Sequence, residues 1–89
     1  MNDAKIRTQQ ERAAHAERLL ADPLLQEAFS TLNDEFMRTW RQTSVNDSES
    51  RERIYALCTA LDAIKQHIAS VIVDGKIAKL NQENQQKNR

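Results

Sequence analysis

Hydrophobic side chains recur along this chain in two stripes with the spacing of an α-helix. Leu25, Phe29, Leu32 and Phe36 follow one another in steps of four, three and four, and Ile54, Leu57, Leu61, Ile64, Ile68 and Val71 in alternating steps of three and four. Such steps keep one side of a helix apolar. Between the stripes lies TSVNDSES, dense in Ser, Asn and Asp, whose short polar side chains compete for the backbone and favour turns and caps. Two long amphipathic helices joined by a short polar link predict a long antiparallel helical hairpin.

The elements follow from local signals. Residues 3–21 are rich in strong helix formers and carry Ala13, Ala16 and Leu20 on one side, which predicts an N-terminal helix. Inside a helix Pro23 would remove a hydrogen bond and clash with the preceding turn, but at a first helical position it does neither. Asp22 is therefore expected to cap a second helix over 23–42, with Pro23 as its first residue. A straight helix would point Ala13, Ala16 and Leu20 away from the side of Leu25, Phe29, Leu32 and Phe36, so the first segment must fold over at Pro23 or find another partner. Asn46 or Asp47 is expected to cap a long third helix over 47–74. With Asn46 as the cap, Glu49 has the spacing of a capping box.

Counting Ile54 as heptad position a places Leu57, Leu61, Ile64, Ile68 and Val71 at d, a, d, a and d. The neighbouring e and g positions hold Cys58, Ala60 and Ile72 beside Lys65 and His67, so the apolar face is wider than a two-stranded seam. The expected fold is all-α: a helical hairpin with an additional N-terminal helix, in one domain of 89 residues, completing a bundle by oligomerisation. Near Asp74-Gly75 the pattern shifts to Val73, Ile77 and Leu80, on the face opposite Ile68. There the helix either bends or ends, or it continues and shows a second apolar surface, with residues 76–89 a helical extension or polar tail.

Composition supports an all-helical reading, with one Gly, one Pro, 29% charged residues and 4% aromatics. Thirteen basic and thirteen acidic side chains cancel, so no global field draws the chain to nucleic acid or anionic lipid. The distribution is uneven. Residues 1–21 carry four basic and three acidic groups, 22–43 two and four, 44–75 three and five, and 76–89 four and one. An acidic middle between basic ends suits contact between subunits, although solvation of the tail accounts for it as well. No uninterrupted apolar run approaches the roughly 20 residues that cross a bilayer, and no membrane role is expected. Cys58 is the only cysteine, which excludes an intrachain disulfide and fits a reducing compartment.

Little in the chain points to chemistry. His15 and His67 have no His, Cys or carboxylate at the spacing of a recognised zinc motif, and Cys58 edges the apolar stripe, where it serves as a small hydrophobe. Asp34-Glu35 and Glu49 with Glu52 occupy helix or cap positions that solvation explains, and Gly75 is the only glycine, so no phosphate-binding loop can form. No enzymatic activity, cofactor, metal or small-molecule substrate is expected. Arg38, Arg41, Arg51 and Arg53 cluster around the link near Trp40 and Tyr55. They read as ion pairs with Asp47, Glu49 and Glu52, or as a nucleic-acid contact through phosphate and base stacking. Trp40, Val73, Ile77 and Leu80 are the candidate interface residues.

The run LLADPLLQEAF, then WRQTSVNDSESRERIYALCTALDAIKQHI and VDGKIA, over about residues 17–80, resembles small helical proteins encoded in the structural and assembly gene clusters of tailed phages and prophages. The resemblance implies a non-enzymatic role in virion assembly, virion structure or genome packaging, as a homo-oligomer in contact with other phage or host proteins. It also implies a location in the bacterial cytoplasm or the virion. Two alternatives are a small regulatory or inhibitory protein that binds a host factor, and a DNA-binding packaging subunit.

Overall fold

In a computed structural model, which describes residues 3–87, the chain forms three helices: α1 (Asp3–Ala21), α2 (Pro23–Gln42) and α3 (Ser48–Lys87). No strand occurs among the described residues. The molecule measures 65 × 25 × 17 Å, and α3, at 1.5 Å per residue, is about 60 Å long and runs its whole length.

Contacts between the elements run in opposite order along the two sides. Gln10 Nε2 of α1 donates to Gln82 Oε1 at 3.4 Å, Ala13 meets Gly75, Lys65 lies 5.3 Å from the centre of the Phe29 ring, and Arg51 lies 4.1 Å from that of Trp40. α1 and α2 together occupy residues 3–42, a length equal to that of α3, and α3 returns along both. The first segment therefore does not fold over the second to make a third layer. It extends the same row and packs on the C-terminal half of α3, more intimately than α2 packs on the N-terminal half.

The junction that permits this is one residue long. Asp22 Oδ1 accepts from the backbone N–H of Leu24 at 2.8 Å and of Leu25 at 3.1 Å, and Pro23 takes the first helical position, where its missing N–H costs nothing. Gln26 Nε2 reaches back to the Leu20 carbonyl at 2.8 Å, satisfying an acceptor that the break leaves free. Resetting the helix here turns Ala13 and Ala16 toward the same partner as Leu25, Phe29 and Phe36. Ala13 and Ala16 are buried, whereas Leu25, Phe29 and Phe36 are half-buried.

Gly75 does not stop the third helix. α3 continues through it, and Gly75 is buried where the backbone of α1 at Gln9 and Ala13 comes close. A Cβ at this position would collide with Ala13 Cβ and lie 3.1 Å from the Gln9 carbonyl oxygen. The polar segment after it is helical to Lys87, and the last two residues lie outside the described range.

Two polar turns close the other end. Thr43 ends α2, its N–H and hydroxyl both donating to the Trp40 carbonyl at 3.1 and 2.6 Å. Asp47, of the two candidates, caps α3, its carboxylate accepting from the Ser50 N–H at 3.1 Å. With Asp47 as the cap, Glu49 falls outside the capping-box position and pairs instead with Arg53 one turn on, at 3.5 Å. The Ser50 hydroxyl and N–H, helped by the Arg53 guanidinium, hold the Asp47 carboxyl below its ordinary pKa.

The core is thin. Ala13, Ala16, Ile54, Leu61 and Ala78 are its buried apolar side chains, and three of these five are alanines. Of the heptad positions in α3, Ile54 and Leu61 at a are buried and Ile68 is half-buried. At d, Val71 is half-buried, but Leu57 and Ile64 stay 45% and 52% exposed. One row of partner helices covers only part of a stripe this wide, so the d positions lie on the rim. Averaged over 18 residues α3 is apolar enough to cross a bilayer, although it holds no uninterrupted apolar run of that length. Asp62, Lys65 and His67 break the stretch, and average apolarity in one helix is weak ground for a membrane span.

Two outcomes follow from this packing. Gly75→Ala gains intrinsic helix propensity of about 1 kcal/mol, yet the added methyl must push α1 away, so thermal melts are expected to show a net loss of about 1–3 kcal/mol, partly restored by adding Ala13→Gly. A stabilised Gly75→Ala would mean that the helices do not approach there. The lowered Asp47 pKa strengthens the α3 cap at every pH above the ordinary carboxylate range and is lost as the pH falls through the folded-state value. In an NMR titration the Ser50 amide should shift at a more acid pH than ordinary aspartates titrate, and Asp47→Asn should abolish that step.

Candidate functional site

The candidate residues fall into groups on different surfaces. Arg51 and Arg53, two positions apart on one helix, point about 200° apart around its axis. The Arg51 guanidinium stacks on Trp40, with its carbon 4.1 Å from the ring centre, and its Nε is buried without a hydrogen-bond partner. Arg53 pairs with Glu49 in solvent, which contributes little on its own. Arg38 and Arg41 are exposed on α2, and the Arg53–Glu49 contact is the one ion pair within 4 Å among the described residues. Arg51 and Arg53 therefore do not share one basic surface, and the ion pairs expected at this end reduce to one.

Trp40 is half-buried, with one face covered by Arg51. Together with Met37, Ile54, Tyr55 and Cys58 it lines a small apolar hollow near the turn. Cys58 is half-buried there, beside apolar and aromatic neighbours. Spacing alone gave no sign that the two histidines would meet, yet both line one open groove between α1 and α3 with Arg12, Leu19, Ile68 and Val71. Among the described residues no group of three His, Cys, Asp or Glu side chains is placed to hold a metal ion.

The remaining candidates are apolar. Val73, Ile77 and Leu80 are each half-exposed on the back of α3, roughly opposite the Gly75 contact, so the helix does continue and does show a second apolar strip. A different strip lies on the rim, where Leu57 and Ile64 stand out between α3 and α2, and Leu32 of α2 is also exposed. Thr39, Arg53 and Leu57 share one groove at the turn end of this flank, and Leu19, Ile68 and Val71 share one at the other end. Sequence reasoning places Leu57 and Ile64 at d positions of an apolar face wider than a two-stranded seam. The seven-residue recurrence of Leu57, Ile64 and Val71 is the signal that could have marked a strip of their own.

Trp40 is the only tryptophan, so its fluorescence reports the stacking directly. Arg51→Ala is expected to raise acrylamide quenching of Trp40 and to cost about 0.5–1 kcal/mol of stability. Unchanged quenching would show that the guanidinium does not shield the ring.

No family model, curated protein or solved structure matches the chain.

Proposed function

We propose that this chain is a non-enzymatic helical protein of phage or prophage origin that acts in virion assembly, virion structure or genome packaging by self-association and by contacts with other proteins. The phage assignment follows the sequence resemblance over about residues 17–80. The mode of action is supported by one observation above all: a thin core, with half-exposed leucine, isoleucine and valine side chains on two surfaces of the rod. Side chains of this kind gain about 25 cal/mol for each Å² of apolar surface removed from water, and a second protein surface is what can remove it.

The hairpin of α1–α2 against α3 is then half of the functional unit, and a bundle forms when copies meet. Val73, Ile77 and Leu80 offer a separate contact for another phage or host protein. The protein has work to do in the bacterial cytoplasm or the virion, and needs no cofactor for it. The stacking of Arg51 on Trp40, away from Arg53, lends the DNA-binding alternative no support.

Light scattering across a range of concentrations tests the reading. A mass at a multiple of 10.3 kDa, with a melting temperature that rises with concentration, is the expected result. A 10.3 kDa monomer whose cooperative melt does not change with concentration would remove the basis for self-association.

A further inference from the structure

On the rim flank of α3, Arg53, Leu57, Ala60, Ile64, His67, Val71 and Asp74 follow in steps of four and three, so they form one strip along the helix. Leu57, Ile64 and Val71 lie seven residues apart, about 10 Å by helical rise. The strip has a basic residue four positions before its first large apolar side chain and an acidic one three positions after its last. Turned end over end about Ile64, it maps nearly onto itself: Leu57 onto Val71, Ala60 onto His67 and Arg53 onto Asp74.

A surface with that property is what a twofold dimer requires, since residue i of one copy meets residue j of the other and the reverse contact comes with it. We propose that a second copy of this chain docks antiparallel on this flank, with Ile64 at the twofold axis and Arg53 of each copy opposite Asp74 of the other. The proposal rests on the self-association reading above and adds to it the surface, the direction and the register.

Two further observations point to a second copy. The chain exposes 7144 Å², whereas a compact monomer of 10.3 kDa exposes about 5,400 Å². An interface of standard size covers about 800 Å² per partner, and the surplus of about 1,700 Å² is ample for that. The second observation is charge. Because α3 returns along α1 and α2, residues 3–21 and 76–87, with formal charges of +1 and +2, lie toward one end of the rod, while residues 22–43 and 44–75, at −2 each, make up the rest. An antiparallel dimer sets the basic end of each copy over the acidic part of the other, and a parallel one sets like charge beside like. Exposed Arg53, now in a solvated pair with Glu49, is free to exchange that partner for Asp74 across the axis.

Charge reversal in the full-length chain tests the register. By sedimentation equilibrium at low salt, Arg53→Glu and Asp74→Arg are each expected to weaken the dimer about tenfold, and the double variant Arg53→Glu/Asp74→Arg to restore it to within about threefold of the parent. Ile64→Asp, which places two carboxylates at the axis, should leave a monomer that is still helical by circular dichroism. A dimer indifferent to these changes, or single losses that the double variant does not repair, would overturn this interface and leave self-association through another surface standing. A parent chain that stays monomeric throughout the accessible concentration range would overturn both.

Discussion

The approach of α1 to α3 at Gly75 governs how the whole chain is arranged. A glycine within a helix gives up about 1 kcal/mol relative to alanine, so its presence in the middle of a 40-residue helix needs an offsetting contact. That contact is Ala13, seated where a side chain on residue 75 would have to be. Ala16 and Ala78 extend the seam on either side, both buried. Small side chains let two helix backbones come close enough for dispersion contacts along their length, and they do so without any large hydrophobe. Because α1 has this partner, α3 continues to Lys87, and the molecule becomes a rod of two rows instead of a compact three-helix bundle.

The same arrangement leaves the larger hydrophobes poorly covered. At each level of a two-row rod α3 faces a single partner helix, so the stripe facing that partner is buried at its centre and wet at its edges. In α3 the a positions Ile54 and Leu61 fall at the centre, and the d positions Leu57 and Ile64 at the edge. A stripe spanning both a and d suits a helix with two neighbours, and the fold supplies one of them. The exposed d positions and the buried a positions are thus two halves of one hydrophobic face.

Polar side chains set where the rows break. Asp22 with Pro23, Thr43, and Asp47 with Ser50 each satisfy backbone groups that a helix end would leave unpaired. Gln26 adds a bond across the α1–α2 break that neither helix makes by itself. At the turn end, Arg51 is drawn onto Trp40 and away from solvent, which removes it from any shared basic patch with Arg53.

Local signals by themselves determined the all-helical class, the three-helix order, the end of α2 at Gln42 and the use of Asp22 and Pro23 at the second start, because capping and proline geometry depend on only a few neighbouring residues. The half-exposed strip of Val73, Ile77 and Leu80 was legible for the same reason, being a matter of helical phase. What Gly75 does was not legible: a glycine after a periodic run reads equally as a helix end or as a close crossing, and only the position of Ala13, 62 residues earlier in the chain, decides between them. Tertiary structure likewise decided which half of the a/d stripe is buried, that His15 and His67 share a groove, and that the arginines near the link part company. Periodicity places a side chain on a face of its own helix, but how much of that face another helix covers depends on partners distant in the chain.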